Sequence, residues 1–586
     1  LFEEMATYAA NNSLDFQSVA MASAAEVAST AHAEESWRTD PHWEPANNIT
    51  EQLNRTDGEG AETYKAAKAE VDHMRDTGGV LVKNRWESEV QEDLKTAGPL
   101  DSKWVIVRKL KKCPKTSALV FSRLRLRLTL RGFRQKAGIQ FDPHGTFAPV
   151  MHLGSLLLLL TIAVMFKLHI RLADDSKAFC EGVMDYKLYC LIPKPFNTMP
   201  EYAPHGPKDS LWLLISAIYG VKQAARQYFS EVISYATGPM KMIQSQRDPC
   251  VLIRWFDQEE VTKYTKHKNK NPNRSKTPAM CTHAHMDSKV TVAKTRHTTS
   301  NNVTRGSSGT HKDTKYEKRQ RNGKRDTTTL LAKVAFLLCG AWVDDKVVIT
   351  VDEGLYENWF LPVLNERFIT NDMGMPALLL GFDTFYDRIR GILKISHTSA
   401  ITKFATKHNL MDISSSTSPC TPDLHKRIKE FRYNNSPEEA TEIEEIGVAY
   451  RMYLGAMGHW AQTTMPQLKA TTRLASKYMS RPTKLHFKLV IMMFRYCMFT
   501  VREGITLTFT SSDDFDGVLE LLFFTDSDHV GNADGTSNSG MVAFLNGNYF
   551  HGYSCGQKCL TMNTAESEYI AIWTMLLLRE LCFRVR

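Results

Sequence analysis

Alternating apolar and basic residues predict two strands early in the folded part of the chain. The segments 102–111 (SKWVIVRKLK) and 123–133 (RLRLRLTLRGF) each place apolar side chains on one face, as half-buried strands do. The second segment also lines up Arg123, Arg125 and Arg127 on its polar face. We expect a basic face on a sheet, although a solvated strand face without a role would show the same pattern.

Longer apolar stretches predict a buried helix and several strands that end in acidic residues. The stretch 156–166 has 11 residues, which is too short to cross a bilayer and fits a buried helix. Strands are expected over 167–175 (KLHIRLADD) and 521–528 (LLFFTDSD). In 335–351 (AFLLCGAWVDDKVVITV), two apolar runs flank two aspartates, a pattern that favours a β-hairpin with carboxylates at its turn.

Positive charge is concentrated in one part of the chain. The 586 residues carry a net charge of +9, but residues 258–330 hold 17 Lys and Arg against 6 Asp and Glu, a net of +11. The rest therefore carries 56 basic and 58 acidic residues, a net of −2. Because 258–330 is also poor in apolar residues, we expect a disordered insertion. It is either a loop that attracts phosphates or a solvated insertion with no role.

Composition excludes some classes of protein. With 43% hydrophobic and 23% charged residues, the chain is neither wholly disordered nor fibrous. Its eleven scattered cysteines argue against a secreted disulfide framework. The first residue is Leu1 rather than Met, so we expect a fragment of a longer product, and no signal peptide is visible.

Paired aspartates at the strand ends are the main candidates for chemistry. Asp174 and Asp175 end one predicted strand, and Asp344 and Asp345 occupy the predicted hairpin turn. Carboxylates brought together at the tips of core strands suit Mg²⁺, and two such ions about 3.5–4 Å apart can support an in-line phosphoryl transfer. Aspartates are also ordinary turn residues, so the pattern alone leaves both interpretations open.

Several segments follow one another in a recognisable order. They are RLTLRGFRQKAGIQFDPHGTFAPV (127–150), DDSKAFCEG (174–182), SAIYGVKQAARQYF (216–229), AWVDDKVVIT (341–350), NDMGMPALLLGFD (371–383), YRMYLGAMGHWAQTTMPQL (450–468), FFTDSDHVGNADGTSNSGMVAFLNG (523–547) and TAESEYIAI (564–572). In this order they resemble the reverse transcriptase and the start of the RNase H of copia-type LTR retrotransposons. The resemblance covers about 64–256 and 331–586. Trp342 and Tyr228 depart from it, standing where the motifs have Tyr and Trp.

The resemblance implies an α+β fold: a right-hand polymerase with fingers, palm and a thumb-like part, followed by an incomplete RNase H-like α/β segment. The expected divisions are a weakly structured N-terminal extension (1–63), fingers and palm (64–425, including the 258–330 insertion), a thumb-like or connecting helical segment (426–515) and the truncated start of an RNase H-like domain (516–586).

The resemblance also assigns roles to residues of the polymerase site. Asp174, Asp344 and Asp345 would be catalytic and would hold two Mg²⁺ ions, for which Mn²⁺ could substitute. Asp175 would add its backbone carbonyl to the second metal.

Further residues are assigned to the nucleotide and to the nuclease. Arg125 and Arg127 would contact the triphosphate. Phe179 would lie under the sugar and clash with a 2′-hydroxyl, and Gln223 would lie near the nucleotide pocket. Alone, Phe179 would more simply be a core aromatic residue. In the RNase H-like part, Asp526 and Glu568 would bind metal.

The implied function is RNA-directed DNA polymerase, with an RNA template, a DNA primer and dNTPs as partners and no membrane. By analogy, the expected location is a cytoplasmic particle and then the nucleus. The protease and integrase segments of such a polyprotein are not visible in this sequence. Two alternatives remain: a catalytically inactive nucleic-acid-binding relic, and an interaction protein whose sheet only scaffolds a partner.

Overall fold

The computed structural model describes residues 44–46, 48–55, 58–112, 119–265, 335–512, 515, 518–532 and 535–583. Its helices are α1 (Ile49–Leu53), α2 (Glu59–Asp76), α3 (Ser88–Thr96), α4 (Leu153–Met165), α5 (Ala224–Thr237), α6 (Gln258–Thr265), α7 (Glu353–Leu355), α8 (Leu361–Leu364), α9 (Thr398–Lys407), α10 (Pro422–Glu430), α11 (Pro437–Gln462), α12 (Lys469–Ser476), α13 (Lys484–Arg502) and α14 (Thr564–Phe583). A π-helical turn, Tyr356–Phe360, joins α7 to α8.

The strands are β1 (Val80–Asn84), β2 (Ser102–Lys112), β3 (Leu119–Leu130), β4 (His169–Asp175), β5 (Tyr189–Leu191), β6 (Ser210–Leu214), β7 (Ile243–Gln244), β8 (Val251–Phe256), β9 (Ala335–Trp342), β10 (Asp345–Thr350), β11 (Thr370–Gly374), β12 (Leu378–Leu379), β13 (Phe382–Asp387), β14 (Ile392–Ser396), β15 (Leu507–Thr510), β16 (Leu521–Asp528), β17 (Asn538–Leu545) and β18 (Asn548–Gly556).

These strands form five sheets, ordered β1-β6-β5, β2-β3, β11-β4-β10-β9-β8-β7, β12-β13-β14-β15 and β16-β17-β18. Neighbouring strands within the described sheets run antiparallel. Helices and antiparallel sheets alternate along the chain, which confirms the mixed α+β class.

The basic hairpin, β2 with β3, has the predicted two-faced pattern. Leu124, Leu126 and Leu128 are buried, whereas the arginines between them are not. Its base is held by a turn that follows β6, because the Leu130 amide donates to the Tyr219 carbonyl at 2.8 Å.

Close backbone packing fixes the same junction. A Cβ on Gly132 would lie 1.9 Å from the carbonyl oxygen of Gly220, so the chain needs a glycine to pass there. The basic face of the hairpin is thereby tied to the turn that carries Tyr219.

The central sheet, β11-β4-β10-β9-β8-β7, is covered on both faces. The apolar helix α4 packs with Ile170 and Val347 on one face. Helix α5 and the helical stretch around Leu355 pack with Leu337 and Val348 on the other. Burial on both faces explains why β9 and β10 read as nearly continuous apolar runs. The predicted helix at 156–166 and the predicted hairpin at 335–351 are confirmed by α4 and by β9 with β10.

The helical region, α9 to α13, has a core of its own in which apolar side chains from successive helices interlock. Helices α10 and α11 begin with proline in the first turn, after Thr421 and Ser436, whose hydroxyls accept backbone N–H groups of the first turn. Most of the region lies within the predicted helical segment 426–515.

Two buried histidines make the helical region sensitive to acid. Burial lowers the pKa of both His397 and His486 to about 4, and the neighbouring His459 lowers that of His397 further. The unfolded chain therefore binds more protons than the folded chain between about pH 6.5 and 4, and stability falls as pH falls through that window. The cost at the acid end is roughly 3 kcal/mol per histidine.

We expect the free energy of unfolding, measured with urea at pH 7, 5 and 4, to decline less steeply in His397→Gln than in the wild type. The exposed His144 serves as the control, since His144→Gln should leave the slope unchanged. Parallel slopes for His397→Gln and the wild type would contradict the prediction.

The C-terminal sheet, β16-β17-β18, packs against the neighbouring parts of the described structure. Met541, Ala543 and Phe550 share a core with helix α4 beneath the central sheet. Lys469 and Arg473 of α12 bind the same sheet, at the Gly552 carbonyl (2.6 Å) and the Asn538 side chain (2.9 Å).

The two expectations of disorder need correction where the structure describes the chain. Residues 258–265 form helix α6, whose Tyr264 carbonyl accepts a hydrogen bond from Asn358 at 2.6 Å. Acidic residues in its first turn favour this helix. Folded structure also precedes residue 64, in α1 and the start of α2. The expectations for 266–330 and for 1–43 lie outside the described residues. In the described part of the chain, no helix is long and apolar enough to span a membrane.

Candidate active site

A tight hairpin turn carries two of the predicted carboxylates. Trp342 and Asp345 pair across β9 and β10, so Val343 and Asp344 alone make the turn. Val343 has φ +56°, a left-handed conformation that a β-branched residue seldom adopts. Backbone strain of this kind concentrates at functional sites.

The third carboxylate lies on the neighbouring strand. Asp174 of β4 stands directly opposite Asp345 of β10. Residues opposite each other in antiparallel strands have Cα atoms about 4.5–5.5 Å apart and side chains on the same face. The Asp175 amide donates to the Asp344 carbonyl at 3.0 Å, which draws the turn against the end of β4. The predicted convergence of Asp174, Asp344 and Asp345 is therefore present.

The electrostatics of the cluster show mutual repulsion. Burial, followed by the charges of Asp344 and Asp174, raises the pKa of Asp345 to about 6. Burial and the charge of Asp344 also raise the pKa of Asp174, while the Arg125 guanidinium opposes the shift. Within the described residues, none of the three carboxylates makes an ion pair with a cationic side chain. The cluster holds an excess of negative charge.

Asp175 has a different environment from its neighbours. Its side chain is 3% exposed and accepts hydrogen bonds from Lys346, Tyr228 and Thr370. The carboxylate is thus not available to a metal, which is consistent with the expectation that only the backbone carbonyl of Asp175 would take part. That contribution stays a prediction.

The basic hairpin brings the two predicted arginines towards this cluster. Arg125 lies close enough to Asp174 to lower its pKa. Arg127 lies over the ring of Tyr219, with its guanidinium carbon 5.2 Å from the ring centroid, and its buried Nε has no hydrogen-bond partner among the described residues. Both side chains lie on the polar face of β3.

Phe179 packs between two tyrosine rings, those of Tyr219 and Tyr228. It belongs to a single 3-10 turn, Ala178–Glu181, just after β4. Its ring meets Tyr219 edge-on at 5.5 Å and Tyr228 edge-on at 6.4 Å. The ring is therefore held between a residue that contacts Arg127 and a residue that binds Asp175. Its place under the sugar of a nucleotide stays a prediction.

Gln223, expected near the nucleotide pocket, is buried and bonded to the loop after the basic hairpin. It is 1% exposed, and its amide is bonded to the Gln135 side chain and the Gln140 carbonyl, each at 3.0 Å. These bonds hold the loop after the basic hairpin against α5. In the structure Gln223 supports the neighbouring loop, and a direct contact with nucleotide stays a prediction.

Sequence reasoning missed two side chains of this site. Tyr219 connects Arg127 to Phe179, and Lys346 is buried behind the aspartates. The position of Tyr219 inside the SAIYGVKQA segment was a signal that could have singled it out. A lysine after two aspartates gives no such signal, because lysine is almost never fully buried.

The predicted nuclease pair is not drawn together in the same way. Asp526 of β16 lines a cleft with Arg473 and Lys477 of the helical region. Glu568 of α14 accepts hydrogen bonds from the Ser527 amide (3.2 Å) and hydroxyl (2.9 Å). Successive residues of a strand point to opposite faces, so these contacts place the carboxylates towards different surroundings. A metal shared by Asp526 and Glu568 stays a prediction.

Across the described residues, no group of three or more His, Cys, Asp or Glu side chains is arranged so that it could hold a metal ion. Metal binding by the aspartates at the hairpin therefore stays a prediction.

Comparison with known proteins agrees with this geometry. Residues 88–259 match the family described as reverse transcriptase (RNA-dependent DNA polymerase). The chain is 24% identical over 492 residues to the retrovirus-related Pol polyprotein from transposon TNT 1-94 of Nicotiana tabacum, covering 82% of this chain and 29% of that protein. It is 22% identical over 475 residues to the Pol polyprotein from transposon RE1 of Arabidopsis thaliana, covering 79% and 25%.

The chain thus spans less than a third of the length of these curated relatives. Among solved structures, that of the foamy viral protease-reverse transcriptase in complex with double-stranded DNA aligns with a TM-score of 0.31 and 8% identity, covering 92% of this chain and 74% of that one. The chain is thus similar to Pol polyproteins of retrotransposons, and residues 88–259 match the reverse transcriptase family.

Proposed function

We propose that this chain is an RNA-directed DNA polymerase that extends a DNA primer on an RNA template. The observation that carries the proposal is the pairing of Asp174 with Asp345, beside Asp344, at a strained hairpin turn. Arg125 of the basic hairpin lies near Asp174, and the match to the reverse transcriptase family, 88–259, covers that hairpin and Asp174.

The aspartate cluster suits divalent cations. The three carboxylates repel one another, and burial strengthens that repulsion, as the raised pKa values of Asp174 and Asp345 reflect. Cations with oxygen ligands would relieve it. Asp174, Asp344 and Asp345 would hold Mg²⁺, or Mn²⁺ in its place, together with the Asp175 carbonyl. When bound, the metal would supply charge stabilisation for phosphoryl transfer.

The remaining groups position the reactants. The 3′-hydroxyl of the primer attacks the α-phosphate of a dNTP, and pyrophosphate leaves. Arg125 and Arg127 would pair with triphosphate oxygens, since a guanidinium can bind two phosphate oxygens at once. Phe179, held between two tyrosine rings, would lie under the sugar and exclude a 2′-hydroxyl.

The fold can be assigned to the parts of a right hand. The basic hairpin would be the fingers, the central sheet the palm, and α10 to α13 the thumb. The sheet β16-β17-β18 with α14 would be the start of an RNase H-like domain. Template and primer would lie across the palm, held through their backbones and A-like shape. By analogy with its relatives, the chain would act in a cytoplasmic particle and then in the nucleus.

A primer-extension assay tests the proposal. Purified chain, a poly-rA template with an oligo-dT primer, dTTP and Mg²⁺ should give extension products, and EDTA should abolish them. A preparation carrying Asp344→Asn, purified in parallel, controls for contaminating polymerase. Nucleic-acid binding is measured on the same samples at two salt concentrations.

The possible outcomes separate the candidate functions. Extension that requires the intact aspartates supports the polymerase. No extension by the wild-type chain, with salt-sensitive binding retained, would overturn it in favour of a nucleic-acid-binding relic. No preferential binding to template–primer would leave only a scaffold for another partner.

The role of Arg125 gives a quantitative prediction. Arg125→Ala should raise the KM for dTTP by about tenfold or more, because a hydrogen bond to a charged group is worth roughly 1.5–3 kcal/mol. Arg123→Ala is the matched control, since Arg123 lies on the same face of the same strand, one step farther along. Equal KM values for the two variants would contradict the assignment.

A further inference from the structure

Two charged side chains lie buried behind the proposed catalytic carboxylates. Lys346 is 2% exposed and Asp175 is 3% exposed, and the Lys346 ammonium donates to Asp175 Oδ2. Each follows a member of the cluster in sequence, since Asp175 comes after Asp174 and Lys346 comes after Asp345. On each strand, the charged residue of the ion pair is therefore the direct sequence neighbour of a carboxylate of the cluster.

The pair is fully integrated into its surroundings. Tyr228 of α5 donates its hydroxyl to Asp175 Oδ2, and Lys346 Nζ lies 3.1 Å from the same hydroxyl. Thr370, the first residue of β11, donates to Asp175 Oδ1 at 2.7 Å. Strands β4, β10 and β11 and helix α5 thus meet at a single carboxylate.

Strand alternation places this buried pair and the half-buried carboxylate cluster on opposite faces of the sheet. Asp174 and Asp345 stand opposite each other and share one face of the sheet. Asp175 and Lys346, the next residue on each strand, lie on the other face. A slip of one residue between β4 and β10 would exchange the faces. It would bury carboxylates of the cluster and expose the ion pair.

A buried ion pair seldom stabilises a fold more than apolar side chains of the same size would. It does penalise arrangements in which either charge is buried alone. We propose that the pair of Lys346 and Asp175 fixes the register of β4 against β10 and so positions Asp174 and Asp345. This positioning role rests on the polymerase function proposed above, since it concerns the same carboxylates.

The test compares single and double variants. Lys346→Met leaves a buried carboxylate without its cation, and Asp175→Asn leaves a buried ammonium without its anion. The double variant K346M/D175N removes both charges, and its new amide can still accept from Tyr228 and donate to Thr370. Lys394→Met is the matched control, because Lys394 is an exposed lysine on strand β14.

Two measurements are made on each variant, well below its unfolding temperature. The first is amide hydrogen exchange in peptides that cover the hairpin of β9 and β10. The second is primer extension, with kcat and the KM for dTTP determined separately. Exchange reports how firmly the backbone hydrogen bonds of the hairpin are held, and it needs neither metal nor activity.

We expect Lys346→Met to accelerate exchange in the hairpin by about tenfold or more. It should also lower kcat by about tenfold or more, because a small misplacement of catalytic groups has effects of this size. KM should change by less than about threefold, since the nucleotide-binding arginines lie on the basic hairpin. The double variant should return exchange and kcat to within about threefold of the wild type.

Other results would overturn the proposal. One such result is a Lys346→Met variant with the exchange rate and kcat of the wild type. The other is a double variant whose exchange rate and kcat are no closer to the wild type than those of Lys346→Met. If the single variants fail to fold and the double variant folds, the dependence on pairing is shown by folding itself. If the wild-type chain extends no primer, the polymerase proposal fails, while the exchange comparison still decides whether the pair holds the register.

Discussion

Asp344→Asn is expected to reduce primer extension by about 10³-fold, the size of effect seen when a charge-stabilising group is removed from an active site. Asp344 lies in the turn, and its backbone carbonyl already accepts the Asp175 amide at 3.0 Å. The substitution keeps the shape of the side chain and that backbone bond, so the turn should persist. What is lost is one negative charge of the proposed metal-binding cluster.

Extension is measured over a range of Mg²⁺ concentrations, with unfolding temperature as the check on folding. Asp387→Asn is the matched control, because Asp387 also ends a strand at a tight turn and accepts a backbone amide, that of Arg390. An Asp344→Asn variant that stays folded and retains more than about a tenth of wild-type activity would remove Asp344 from the catalytic set.

Phe179→Val is expected to lower the preference for dTTP over UTP by about 100-fold, chiefly by admitting the ribonucleotide. The ring of Phe179 is held by Tyr219 and Tyr228, so it cannot swing aside to accommodate a 2′-hydroxyl. One methylene more or less in a pocket is commonly worth about 10–200-fold in selectivity, and rejection of an added hydroxyl about 100-fold. Valine keeps an apolar contact with both tyrosines and opens the space under the sugar.

The measured quantity is the ratio of kcat/KM for dTTP to kcat/KM for UTP on the same template–primer. Phe385→Val is the control, since Phe385 is an exposed phenylalanine on β13. A ratio unchanged from the wild type would show that Phe179 is only a packing residue. A ratio that falls because dTTP is used less well would point to damage rather than to altered selection.

The order of apolar and acidic residues predicted the elements that carry the aspartates, because each element is one short continuous segment of the chain. The strand that ends at Asp174 and the hairpin around Asp344 are each specified by apolar runs interrupted by acid. Motif order then assigned Arg125 and Phe179 to the same site, and the structure places Arg125 near Asp174. The sequence pattern could not predict which residues of β4 and β10 face each other. Pairing between residues about 170 positions apart depends on tertiary packing.

Other contacts of the site were out of reach for a similar reason. The motif that contains Gln223 does not show that the Gln223 amide is bonded to Gln135 and Gln140. Nothing in the sequence singled out Lys346, since lysine is almost never fully buried. Its burial depends on Asp175, Tyr228 and Thr370, which come from three distant segments.

The pairing of β8 with β9 makes the connection between these strands a place where the chain can gain or lose residues. Phe256 and Ala335 are already cross-strand partners, so whatever joins them closes a hairpin that the sheet has aligned. Each doubling of such a connection costs only about 0.6 kcal/mol. This position is therefore a natural acceptor for inserted coding sequence, and it is also the place to graft a reporter or to shorten the chain while leaving the carboxylate cluster intact.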